Sequence, residues 1–151
     1  MQRMLFIALS FTIGVQAFAG GVNPDKRASD VISLLKKNQP VEAFEKAFSG
    51  NELFKEKKSE LDQLKYQFSG FVSQVGAPYD CELLVTRNLI ERYRIDQYLC
   101  LSEMQPFVIQ FDFYKPKKDW KIQAFSFNTD ADDRIEESIM IEIGALSKPG
   151  K

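Results

Sequence analysis

Six acids and phenols sit on stretches with strand-like patterning: Asp80, Tyr93, Asp96, Tyr98, Asp112 and Tyr114. A carboxyl group whose pKa is raised by burial can take a proton from the carbon next to a carbonyl, and a tyrosine hydroxyl can steady the oxyanion that develops. Asp96 with Tyr98, and Asp112 with Tyr114, are the pairs that fit such isomerase- or lyase-type chemistry. Asp112 has a plainer reading as a surface strand acid beside a lysine-rich turn, because Asp is seldom buried.

Other chemistries are closed by composition. The chain has no histidine. It therefore lacks the commonest general base, metal ligand and pH switch. A Ser-His-Asp or Cys-His site cannot be assembled within one chain. Asp130, Asp132 and Asp133 form the densest acidic run, but oxygen-ligated calcium loops use more ligands and a glycine at the turn. Capping of a final helix is the better reading of these acids. No metal and no cofactor is expected.

Cys81 and Cys100 are the only cysteines. The lack of C-x-x-C spacing argues against a redox-active pair. In an exported protein two cysteines most simply form a disulfide. The alternative is a pair of buried free thiols at offset positions. If the hairpin between them is centred between Ile90 and Glu91, the two residues face each other.

Export is itself a sequence expectation. Residues 1–19 read as a signal peptide: Arg3 as the basic start, Met4 to Val15 as the apolar region, and Ala17-Phe18-Ala19 as the cleavage pattern. The apolar run is short for a bilayer span. After cleavage a soluble periplasmic or secreted protein is expected, with no membrane insertion. The 151 residues carry a net charge of -1, with 44% apolar and 27% charged residues. This fits one soluble globular domain, expected over residues 20–146, with a disordered tail at 147–151. The overall balance suggests neither nucleic acid nor an anionic membrane as a partner.

The elements that must position these residues are legible from periodicity. Asn23-Pro24-Asp25 starts a first helix that ends near Asn38. Pro40 opens a second, which Gly50 stops. A third is expected from about Glu52 to Gln74, with Leu53, Phe54, Leu61, Leu64, Phe68, Phe71, Val72 and Val75 at helical spacing. Lys55, Lys57 and Lys58 lie among glutamates and read as a solvated face. Gly76-Ala77-Pro78 breaks the helices, and the period switches to two. Tyr79 to Thr86 and Arg92 to Leu101 read as strands around a loop, Arg87 to Glu91. Phe107 to Phe113 and Trp120 to Phe127 form a second hairpin around Lys115-Pro116-Lys117-Lys118-Asp119. Ile135, Ile139, Ile143 and Leu146 suit a helix face, although Ile139 to Ile143 also suits a fifth strand.

The second hairpin organises the rest. Phe107, Ile109, Phe111 and Phe113 share one face. If Tyr114 pairs with Trp120, Phe113 opposes Lys121, Phe111 opposes Gln123, Ile109 opposes Phe125 and Phe107 opposes Phe127. The other face then carries Val108, Asp112, Tyr114, Trp120, Ile122 and Ala124. It is too apolar for an open solvent face. A pocket, another chain or the C-terminal segment should cover it. A slip of one residue would exchange the faces.

Three helices followed by a four-stranded antiparallel meander make an α+β protein. The breaker Gly76-Ala77-Pro78-Tyr79, the strand Glu82-Leu83-Leu84-Val85-Thr86, and the closing pair Phe111-Asp112-Phe113-Tyr114-Lys115-Pro116 with Trp120 to Phe127 carry a resemblance to the nuclear-transport-factor-two-like fold. This belongs to the wider cystatin-like group, and the match covers about Asp25 to Asn128. The ending looks like that of small exported bacterial proteins of that fold. The resemblance implies a curved sheet and a cone between sheet and helices that holds an apolar ligand. It also implies isomerases, cyclases, dehydratases, dimerisation modules or binders as functional classes. The histidine-dependent dehydratases are out of reach for this chain. Two functions are expected on these grounds. The first is a non-enzymatic envelope module that binds a protein partner or a second copy through the open sheet face, with Trp120, Tyr114, Ile122 and Phe111 as contributing residues. The second is a small-molecule binder or isomerase/cyclase-like enzyme using the cone.

Overall fold

A computed structural model describes residues 23–52, 56–133, 135–136 and 139–140. The segments read as a signal peptide (1–19) and as a tail (147–151) lie outside the described residues, as do Leu53, Phe54 and Lys55. Three helices, α1 (Pro24–Lys36), α2 (Pro40–Phe48) and α3 (Lys58–Val75), precede four strands, β1 (Asp80–Ile90), β2 (Tyr93–Leu101), β3 (Phe107–Tyr114) and β4 (Lys121–Asn128). The strands form one antiparallel sheet in sequential order. A short helical stretch follows, with residues 131–133, 135–136 and 139–140 helical. Helix rather than a fifth strand is therefore adopted at Ile139 and Met140.

Local chemistry sets the helix ends. The Asn23 side chain accepts a 3.1 Å hydrogen bond from the Lys26 amide, and Pro24 occupies the first turn. Pro40 likewise occupies the first turn of α2, where Gln39 adds no side-chain cap. The third helix starts later than its periodicity suggests, at Lys58, and Lys57 offers no side-chain cap. Lys57 and Lys58 are exposed, as a solvated face requires. Gly76, at the end of α3, has φ +87°, a conformation that L side chains rarely adopt.

Helix and sheet meet over a phenylalanine core. Phe68 of α3 lies 4.9 Å, centroid to centroid, from both Phe125 and Phe127 of β4. Phe71 meets Phe107 at 5.5 Å and Phe127 at 4.9 Å. From α2, Phe44 reaches Phe125 at 6.1 Å. Phe107, Ile109, Phe111 and Phe113 are all fully buried, so the face expected for them is the inner one.

The register of the second hairpin differs from the expected one. Phe113 opposes Ile122, Phe111 opposes Phe125 and Ile109 opposes Phe127, with a shift between Asp112 and Phe113. Gln123 is the extra residue of a β-bulge, which a plain period-two count cannot anticipate. The shift moves Ile122 from the outer face, where it was expected, to the core at 2% exposure. The first hairpin also departs from expectation. Arg87 to Ile90 are strand rather than loop, and only Glu91 and Arg92 turn. Leu84 and Leu89 are extra residues there. Bulges thus fall on β1 and β4, the two edge strands, where they oppose pairing with another sheet.

Cys81 and Cys100 are register partners on β1 and β2 and form a disulfide, with Cα atoms 4.0 Å apart. It ties the edge strand to the core, where Cys100 is fully buried. Reducing it, or replacing both cysteines with alanine, is expected to lower stability by about 3 kcal/mol in the chain-entropy account. Denaturant unfolding with and without reductant measures this. An unchanged midpoint would mean that the cross-link adds nothing to a hairpin already held by its neighbours.

Candidate functional site

Asp96 lies on the inner face of β2 with no exposed surface. Its register partner Thr86 donates a 2.8 Å hydrogen bond to Oδ1, and Arg94 Nε donates another at 2.8 Å to the same oxygen. A second arm of Arg94 bonds Asp25 in the first turn of α1. Burial draws the Arg94 pKa down, but bonding to Asp96 and Asp25 outweighs it and the net shift is upward. Tyr98, on the same face, is pushed up to about 12, mainly by burial and then by the charges of Asp96 and Asp25. The other oxygen of Asp96 is buried without a partner among the described residues.

A general base needs a reacting atom within hydrogen-bond reach. Three cavities, over Phe44 and Leu61, beside Tyr114 and Lys121, and at Arg27 and Ala47, are lined by neither Asp96 nor Tyr98. Phenylalanine rings fill the space between sheet and helices, and Tyr98 packs edge-on to Phe111 at 5.8 Å. The Asp96 cluster instead couples β1, β2 and α1.

The outer face carries a second polar chain. Gln97 donates to Gln110 at 2.8 Å, Gln110 to Asp112 Oδ1 at 2.7 Å, and the Tyr93 hydroxyl to Asp112 Oδ2 at 3.1 Å. Burial, then the charge of Asp112, raises the Tyr93 pKa. Asp112 thus partners Tyr93 and not Tyr114, and both of its oxygens are engaged. The centre of this face is covered, with Gln97 at 3% and Val108 at 2% exposure. Asp80 is engaged elsewhere: a 2.7 Å contact with Lys36, then the Cys81 amide, holds its carboxyl below the usual range.

Toward the turns the face opens. Ile90 pairs with Tyr93, Tyr93 with Tyr114, and Tyr114 with Lys121, one row across all four strands. Leu89 and Ile90 are 60% and 63% exposed, and Tyr114 38%. The Lys115 amide donates to the Arg92 carbonyl at 2.9 Å, which joins the two hairpin turns into one end of the molecule. Lys115 Nζ sits 5.7 Å from the centre of the Trp120 ring, within cation–π range. Beside the row opens a cavity of about 590 Å³ whose walls include Asn51, Tyr114, Pro116, Lys117, Lys118 and Lys121. Asn51 is held there by a 2.8 Å bond from its amide to the Ile122 carbonyl.

Another cavity, of about 460 Å³, lies over Phe44, Phe48 and Leu61 between α2 and α3. Its charges are partly neutralised from within, since Lys65 bridges Glu45 at 3.1 Å and Asp62 at 3.2 Å. No salt bridge of the described residues involves Lys117, Lys118 or Lys121.

Of the residues expected to bind on the outer face, Tyr114 lies there at this turn end, Trp120 is at the same end but half-buried against the core, and Phe111 and Ile122 are core residues at 0% and 2% exposure. Leu89 and Ile90 were not anticipated, and Tyr93 was expected among the candidate acids and phenols rather than at a binding surface. Arg87-Asn88-Leu89-Ile90 sets two polar residues before two apolar ones, and the bulge at Leu89 removes the alternation that marks a strand. Among the described residues no group of His, Cys, Asp and Glu could hold a metal ion, and no helix is long and apolar enough to cross a membrane. Comparison with models of known protein families, with curated proteins and with solved structures yields no match.

Proposed function

We propose that this protein is an exported, periplasmic or secreted binding module that acts without catalysis and meets its partner through the turn end of the sheet. One observation carries the reading: Ile90, Tyr93, Tyr114 and Lys121 form a continuous cross-strand row, partly exposed, beside an open lysine-lined cavity. Exposed apolar side chains rimmed by polar ones are the common mark of an interaction site. The edge bulges disfavour strand addition as the mode of association. They turn the earlier expectation of an open sheet face, or a sheet-to-sheet dimer, toward the turns. The disulfide agrees with an oxidising compartment. The order of three helices before a four-stranded meander supports placing the chain among nuclear-transport-factor-two-like proteins. The alternative, an isomerase or cyclase in an internal cone, has weaker support, because the Asp96 and Asp112 carboxylates are both engaged by neighbouring side chains.

A photo-reactive phenylalanine analogue placed at Tyr114 and illuminated in the intact producing cell tests the reading. Adducts to protein or lipid are expected there, and none with the same probe at Tyr66, which is 73% exposed on α3. Equal yields at the two positions, or no adduct at either, would overturn it.

A further inference from the structure

We infer that the turn end of the sheet docks on the surface of a membrane leaflet rich in anionic phospholipid. The inference rests on the binding reading above and names the partner surface. Three kinds of residue converge at this end. Leu89 and Ile90 are aliphatic side chains exposed beside the β1–β2 turn. Tyr93 and Tyr114 are amphipathic aromatics on the outer face, and Trp120, half-buried against the core, lies at the β3–β4 turn; these are the types that concentrate where membrane meets water. Arg92, Lys115, Lys117, Lys118 and Lys121 are five cations set against Glu91 and Asp119 alone in the two turns. Basic side chains near an anionic leaflet are each attracted to it, and apolar side chains beside them add shallow burial at the headgroup boundary.

The net charge of -1 hides this, because it averages over the whole chain. On the helices, Lys26, Lys36, Lys46 and Lys65 each face a carboxylate within 3.2 Å. Among the described residues Lys117 and Lys118, like Lys37, Lys57 and Lys58 on the helical side, face no carboxylate, and they stand exposed at the tip beside Lys115 and Lys121. The Lys115–Arg92 backbone bond holds the two turns side by side at one end of the sheet. An acidic protein segment would use the lysines, but it would leave Leu89 and Ile90 beyond the lysine-lined cavity unexplained.

Trp120 is the only tryptophan and makes the test specific. The full chain is mixed with vesicles of phosphatidylglycerol and phosphatidylcholine, or of phosphatidylcholine alone. Co-sedimentation and Trp120 emission are read at low and at high salt. The expected result is binding to the anionic vesicles only, weakened by salt, with Trp120 emission shifted to the blue. Lys117→Glu with Lys118→Glu is expected to weaken partitioning by about tenfold or more. Leu89→Ser with Ile90→Ser should also weaken it and reduce the blue shift. All variants share one N-terminus, so whatever residues 1–22 contribute cancels in the comparison. Binding that persists unchanged in both variants, or that leaves Trp120 emission untouched, places the membrane contact elsewhere and overturns the inference. No binding at low salt also overturns it. If the probe at position 114 then captures protein, the binding reading stands with an acidic protein as partner. If it captures nothing, both fail.

Discussion

Asp96→Ala is expected to destabilise this protein by about 3–5 kcal/mol, the range for removing one partner of a buried ion pair. The carboxylate has no exposed surface, and Arg94 would lose the bond that holds its Nε in the sheet. Thr86 would lose its acceptor as well. Arg94 would keep only Asp25, an exposed residue at the start of α1, so the change should also loosen the helix on the sheet. The comparison that isolates the cause is Asp96→Leu together with Arg94→Met. An apolar pair of similar bulk removes both charges at once and is expected to lose much less than Asp96→Ala, because no unpaired charge remains. Urea unfolding of the three proteins reads this directly. If the double variant is as unstable as the single one, the hydrogen bonds, and not the stranded charge, carry the effect.

Phe68→Ala should cost about as much, roughly 3–5 kcal/mol for deleting a buried ring. Phe68 has no exposed surface and touches Phe44, Phe125 and Phe127, so it joins α2, α3 and β4 at one point. Its neighbours are rings, which cannot collapse into the gap as flexible aliphatic chains would. Phe68→Leu keeps part of the volume and should recover a good share of the loss. Equal losses for the two variants would show that edge-to-face ring contacts, and not volume, hold this junction. Both changes lie away from the turn end. A folded Phe68→Leu protein should therefore behave as wild type toward partners there.

Much of this architecture was open to inspection in the residues. Asn23 and the prolines at 24 and 40 announce helix starts, since a capping side chain and a ring-fixed φ act locally. The switch to period two after Pro78 announces strands, whereas Cys81 and Cys100 face each other because two bulges on β1 offset a turn centred one residue later than expected, between Glu91 and Arg92. The register near the turns was hidden. Bulges at Leu84, Leu89 and Gln123 each add one residue to a strand, and one residue reverses which face every later side chain occupies. That is why Ile122 was expected outside and lies inside, and why Arg87 to Ile90 resembled a loop.

The candidate site divides along the same line. Composition alone removed histidine chemistry, because an absent residue needs no fold to be absent. Patterning alone supplied the α+β order and the shared face of Phe107, Ile109, Phe111 and Phe113, because strand side chains alternate; packing against the helices decided that this face is the inner one. Only the tertiary structure decided that Asp112 bonds Tyr93 and that Asp96 bonds Arg94 and Thr86, since each pair spans two strands or depends on which face a residue takes. A four-stranded meander already implies that both hairpin turns lie at one end; the tertiary structure alone decided that β1 runs on to Ile90, so that Leu89 and Ile90 reach that end beside Tyr114 and the lysines, because bulges at Leu84 and Leu89 are set by pairing with β2.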